Sequence, residues 1–189
     1  MQKILQEAKE KDLGVPEGNF KLYPFFLLAI ATVARFGEFL DIDRKRDISL
    51  ETNTIDSNTQ VTRDGSGKPL KTSSAHRRIF VQPKVLRAVL EMTPRSKETT
   101  KLWLYHGRQM TYIAASMRVH NFISRSHEVP NHCFRHYHAT YLLMQGVNVK
   151  EVSKRLGHSS ITTTLDLYAY RVPEMDASTA NTIGTKFIL

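Results

Sequence analysis

Hydrophobic positions recur with a helical period over most of the chain and alternate only in one middle stretch. Ile4, Leu5 and Ala8 stand at helical spacing among Gln, Glu and Lys, so residues 1–11 read as a solvated amphipathic helix, stopped by Gly14, Pro16 and Gly18. Residues 23–40 are apolar on nearly every side, which predicts a helix buried in the core. Arg35 and Glu38 stand out within it; three residues apart, they would share a face near its end and meet there. Between residues 48 and 82 the period changes. ISLETNTI and RRIFV alternate, with DGSG at 64–67 between them, and read as short antiparallel strands. Lys71 falls between that turn and the last strand, on the rim or tip of a hairpin.

Pro83 suits the first turn of a helix whose core stripe is Val85, Leu86, Val89 and Leu90. A basic loop with Pro94, Arg95, Lys97 and Lys101 follows, and then an amphipathic helix over residues 111–125 carrying Ile113, Met117 and Phe122. Beyond Pro130, a helix over 132–145 would stop at Gly146 and a shorter one over 149–156 at Gly157. Ser159 or Ser160 could cap a further helix with Tyr168 near its far end. After Pro173, residues 174–189 read as one more helix or a tail. The expected fold class is α+β, mainly α, with a small three-stranded antiparallel sheet on one edge. No internal repeat or linker divides the 189 residues, so residues 1–189 read as a single domain.

Composition narrows the function. A hydrophobic share of 41% supports a sizeable core, and 27 Lys and Arg against 18 Asp and Glu leave a formal charge of +9, which points to a polyanionic partner, nucleic acid first. No apolar run approaches the roughly 20 residues of a membrane span, so no membrane partner is expected and the protein is expected in the cytoplasm. The single Cys133 excludes an internal disulfide and reads as a buried small residue. His132 and His136 have a zinc-compatible i, i+4 spacing, but no second ligand cluster accompanies them, so no metal is expected.

The stretch from Asn131 to Tyr170 gathers His, Arg and Tyr at spacings that packing alone does not require. A tyrosine that cleaves a phosphodiester needs a base or a cationic field, because a phenol with a pKa near 10 is protonated at neutral pH. Arginines suit the non-bridging oxygens, since a planar fork donates two hydrogen bonds and stays charged. The departing alkoxide needs a proton from a Lys or His. Arg35, Lys71, His132, Arg135, His158 and Tyr168 offer these groups in chain order.

ARFGEF at 34–39, LKTSSAHRRIFV at 70–81, HCFRHYHATYLL at 132–143 and RLGHSSITTTLDLYAY at 155–170 resemble, in order, the first-arginine box, the lysine hairpin, the H-x-x-R box, and the G-H and nucleophile boxes of tyrosine recombinases, the phage and transposon integrase family. Val33 and Ala34 stand where the family often has a glycine, and Leu70 where it has a threonine; neither removes a catalytic group. The resemblance implies the helical catalytic domain of that family, without the separate core-binding domain that usually precedes it. It implies Tyr168 as nucleophile, Arg35, Arg135 and His158 on the non-bridging oxygens, His132 assisting deprotonation and Lys71 protonating the leaving oxygen. Glu38 would orient Arg35 or a neighbour, His136 and His138 would pack or support the site from behind, and Arg77 and Arg78 would meet backbone phosphate or solvent. It implies no cofactor, double-stranded DNA as partner, a homo-tetramer on DNA and a monomer when free, with the tail packing on a neighbouring subunit.

Three readings remain in competition. A type IB topoisomerase shares the nucleophile and the cation cage but rejoins the strand it cut. NVKEVSKRLGHSSITTTLDLY also resembles a helix-turn-helix, as in a non-catalytic regulator, which leaves Arg35, Lys71 and the H-x-x-R box without a role. Tyr170 is the rival nucleophile, on a different helical face from Tyr168.

Overall fold

The computed structural model describes residues 1–70, 76–126 and 133–168, with the backbone alone at residues 125, 126, 133, 167 and 168. The expected fold class is the observed one: a mainly helical α+β domain with a three-stranded antiparallel sheet.

Helix α1 (Gln2–Asp12) lays its buried Ile4 and Ala8 on α2 (Leu22–Thr32). Its last residue also starts α2: the Asp12 carboxylate accepts hydrogen bonds from the backbone N–H of Leu22 at 2.9 Å and Tyr23 at 2.6 Å. A carboxylate there satisfies orphan donors and complements the helix dipole.

The buried helix expected over 23–40 is two helices. α2 closes at Val33, which takes the left-handed conformation at φ 51°, and α3 (Phe36–Leu40) restarts with Arg35 as its N-cap. No Gly or Pro marks the break. Val33 tolerates this strained backbone because its side chain is buried in a small cluster with Ala139, Val152 and Leu156. The break leaves the last carbonyls of α2 without helical partners, and side chains from elsewhere take them.

The sheet has the order β1 (Ile48–Ser49), β2 (Thr54–Ser57), β5 (Arg77–Phe80), with Ile48, Ile55 and Ile79 in register across it. Between β2 and β5, a separate hairpin of β3 (Thr59–Val61) and β4 (Gly67–Pro69) carries the DGSG turn. Gly37 of α3 lies against β3: a Cβ there would stand 2.5 Å from the Val61 carbonyl oxygen. Helix α4 (Pro83–Met92) has Pro83 in its first turn, and Gln82 caps it by accepting from Val85 N–H at 3.0 Å.

After α4 come the hairpin β6 (Leu104–Tyr105) and β7 (Arg108–Gln109), then α5 (Tyr112–Ser126), α6 (Cys133–Met144), α7 (Val149–Leu156) and α8 (Ile161–Tyr168). Ser160 is the α8 cap, accepting from Thr162 N–H at 3.2 Å. The core centres on Phe25, whose ring lies 4.7 Å from Phe39 and 5.0 Å from Trp103. The Trp103 indole N–H, fully buried, donates to Phe39 O at 2.8 Å, which satisfies its one polar atom. No helix among the described residues is long and apolar enough to cross a membrane.

Because the Gly37 clash would be with backbone, Gly37→Ala is expected to push α3 off β3. It should cost about 1–3 kcal/mol, read as a lower urea midpoint at unchanged m.

Candidate active site

Helices α2 and α7 end at the same place, and their last carbonyls are the scaffold of the site. Arg77 Nε donates to Arg155 O at 3.1 Å, Arg135 Nη2 to Leu156 O, and Arg35 Nη2 to Gly157 O at 3.0 Å. On α2, His138 Nδ1 meets Ile30 O at 2.7 Å, Arg155 Nη2 donates to Ala31 O at 2.5 Å, and Arg135 Nη1 donates to Val33 O at 2.6 Å. These carbonyls carry the negative end of each helix dipole and have no partner within their helices, so cationic donors suit them. Gly157 makes the α7 end possible: its φ of 68° gives the left-handed cap, and a Cβ would come within 2.9 Å of Arg77 Nη1.

Arg35 and Glu38 do meet, though as a helix cap rather than on a helical face. Glu38 Oε2 accepts from the backbone N–H of Arg35 at 3.1 Å, and Oε1 accepts from Arg35 Nη1 at 2.9 Å. Glu38 Oε2 also accepts from Arg77 Nη2 at 3.0 Å. The Glu38 side chain is 1% exposed and that of Arg77 7%, whereas that of Arg35 is 43% exposed. Burial alone would raise the Glu38 pKa, but the charge of Arg77 and the hydrogen bonds from Arg35 and Arg77 hold it below the ordinary value. Arg77, expected at phosphate or solvent, is therefore turned inward. On a strand whose side chains alternate, Arg77 faces Glu38 and Arg78 faces out, where it pairs with Asp56 at 2.8 and 2.9 Å.

His158 follows the Gly157 cap. Its Nδ1 lies 2.8 Å from Thr164 Oγ1 of α8, and Nε2 has no hydrogen bond among the described residues. Burial, then the charges of Arg135, Arg35 and Arg77, push its pKa down to about 4. Arg35, Arg135 and His158 line one cavity of about 500 Å³ with Arg63 and Tyr112.

The structure thus brings together Arg35, Glu38, Arg135 and His158. Lys71 and His132 lie outside the described residues. So do Tyr170 and residues 174–189, and the side chains of Tyr168 and Cys133. The backbone of Tyr168 ends α8, four residues beyond Thr164. His136 is exposed on α6, and His138, on the same helix, joins the network at Ile30 O. Arg155 and Thr164 were not legible as site residues: the Ala31 carbonyl that holds Arg155 is 124 residues away, and Thr164 meets His158 because α8 packs back on α7. No group of three His, Cys, Asp or Glu suited to a metal occurs among the described residues.

Two outcomes follow for stability. Glu38→Gln leaves Arg35 and Arg77 facing each other without a carboxylate, which should cost about 3 kcal/mol or more in urea unfolding. His138 and His158 titrate near 4 in the folded chain, both pushed down first by burial. An unfolded imidazole takes up its proton near 6.5, so the unfolded state binds more protons below that pH. Stability should hold above pH about 6.5 and fall as pH drops toward 4. His138→Gln should flatten that fall.

The family model of the phage integrase family matches residues 1–174. ICEBs1 integrase of Bacillus subtilis is 28% identical over 196 residues, covering 93% of this chain and 52% of that protein, so the chain spans about half its length. A tyrosine recombinase XerC-like protein of Caldanaerobacter subterraneus is 39% identical over 57 residues, covering 30% of this chain and 15% of that protein. Among solved structures, the Tn1549 transposon integrase in complex with a circular intermediate DNA superposes with a TM-score of 0.71 at 22% identity, covering 88% of this chain and 58% of that one. The catalytic domain of bacteriophage HP1 integrase gives 0.59 at 20% identity, covering 99% of this chain and 90% of that domain. These two likenesses speak for the fold, and the family match over residues 1–174 speaks for descent: the chain belongs to the phage integrase family.

Proposed function

We propose that the chain is the catalytic domain of a site-specific DNA recombinase that cuts and rejoins double-stranded DNA through a covalent 3′-phosphotyrosine at Tyr168. The observation that carries this is the convergence of Arg35, Arg135 and His158 on one cavity, beside the helix that ends at Tyr168. The likeness to the HP1 catalytic domain and the half-length match to ICEBs1 integrase support the reading as a catalytic domain.

In this reading a phosphodiester enters the cavity and its non-bridging oxygens take donors from Arg35 and Arg135. If the Thr164 hydroxyl donates to His158 Nδ1, the Nε2–H of a neutral His158 is free to donate as well. The tyrosine oxygen attacks phosphorus, a new P–O bond forms and the bond to the 5′ oxygen breaks. His132 receives the phenol proton and Lys71 supplies one to the leaving 5′ oxygen. A second 5′-hydroxyl reverses the step, so neither metal nor nucleotide is needed. Arg77, held by Glu38, supports Arg35 and the α7 end. Assembly as a tetramer on DNA, from a free monomer in the cytoplasm, belongs to the same reading. No observation favours a strand-resealing topoisomerase or a non-catalytic regulator over it.

The test uses suicide duplexes chosen from random DNA by binding to the protein. Wild type should give a denaturation-resistant adduct; Tyr168→Phe should give none while binding DNA nearly as well. An adduct that persists in Tyr168→Phe would sink the assignment. Arg35→Ala and Arg135→Ala should each slow cleavage about 10²–10³-fold, the usual loss when a donor to developing charge is removed. Joints between two duplexes, rather than relaxed supercoils, would mark a recombinase.

A further inference from the structure

We propose that His138 and Arg155 are positioning residues for cleavage: together they hold the C-terminal ends of α2 and α7 at a fixed separation, and so place the Arg35 and Arg135 guanidiniums. The inference rests on the recombinase reading above and adds to it two residues that touch no substrate.

The hydrogen bonds form two parallel struts between the helix ends. Arg135 and His138 are three residues apart on α6 and so share a face. Both reach the α2 end, Arg135 at Val33 O and His138 at Ile30 O. Both also reach the α7 end, Arg135 at Leu156 O and His138 through Arg155, whose Nε lies 3.2 Å from His138 Nε2. Arg155 extends the inner strut to Ala31 O and, at 3.3 Å, to Phe80 O at the end of β5. The outer strut lines the cavity of Arg35, Arg135 and His158 and the inner one does not, although Arg155 lines a second cavity of about 1210 Å³ with Arg77.

That difference assigns the roles. A phosphate in the cavity competes with Val33 O and Leu156 O for the donors of Arg135, so the outer strut loosens when substrate binds. His138 and Arg155 do not line that cavity, so a phosphate in it leaves their bonds intact, and they keep the α7 end in place while Arg135 turns to its ligand. Gly157 O, in the same turn, holds Arg35.

Protonation fits the role. A carbonyl oxygen only accepts, so His138 Nδ1 must carry the proton toward Ile30 O, and the Nε2 lone pair is then free to accept from Arg155. Only a neutral imidazole in that tautomer makes both bonds. Burial, then the charge of Arg155, push the His138 pKa down to about 4, which keeps the ring neutral at working pH.

The test is single-turnover adduct formation by the full chain on the suicide duplex, at saturating DNA and well below the melting temperature. His138→Leu removes both bonds. Misplacing a reacting group by about 1 Å costs about 10²-fold, so a rate loss of that order is expected, with DNA affinity within about twofold of wild type. His138→Gln, whose amide can donate to Ile30 O and accept from Arg155, should recover most of the rate. In an Arg135→Lys background His138→Leu should cost less than it does in the wild type, because one of the two guanidiniums it positions is already gone. Should His138→Leu fold poorly, Arg155→Lys serves instead, since it keeps the charge but loses the Nε donor and should also slow cleavage. Wild-type rates in Arg155→Lys, a Gln variant no faster than Leu, or full additivity with Arg135→Lys would each overturn the positioning role. No adduct from the wild-type chain would instead overturn the recombinase reading on which it rests.

Discussion

Two helices that end side by side, each with carbonyls lacking helical partners, are the constraint on which the site depends. A helix C-terminus must find donors for its last carbonyls or lose the free energy of their hydration. Here Arg35, Arg77, Arg135, Arg155 and His138 supply them, at Ile30, Ala31 and Val33 of the first end and at Arg155, Leu156 and Gly157 of the second. The same bonds join the early helical part of the chain to its last third.

Carbonyls hold a guanidinium without neutralising it. Among the described residues Glu38 accepts from both Arg35 and Arg77, and Arg135 and Arg155 donate to backbone carbonyls. Positive potential therefore accumulates around the cavity, as the depressed pKa of His158 records: after burial, its causes are the neighbouring arginines. In the proposed reading such a site suits a phosphate, since its donors are already oriented. Packing reinforces it from behind. Val33, Ala139, Val152 and Leu156 form the apolar contact between α2, α6 and α7 under the polar network.

Much of this was legible in the sequence, and where it was not, the reason is physical. Periodicity found α1, α4 and α5, the alternating stretch found the sheet, and Gly157 and Ser160 marked helix boundaries because their chemistry is local. It did not find the break at Val33. The residues around it are uniformly apolar, and the left-handed turn is stabilised by contacts with α6 and α7 that lie far along the chain. Arg77 and Arg78 were indistinguishable as neighbours, and strand alternation together with the buried Glu38 sends one inward and the other out.

By itself the sequence determined the fold class, the excess of positive charge and the four motifs in family order, because these depend on residue type, spacing and period. Only the tertiary structure decided which cations share a cavity and what holds them. Those choices depend on carbonyl groups that every residue possesses and that become acceptors only where a helix stops. Arg35 is the clearest case. Its place in an apolar run and its spacing from Glu38 are written in the chain, but its bond to Gly157 O, 122 residues away, exists only once α2 and α7 end together.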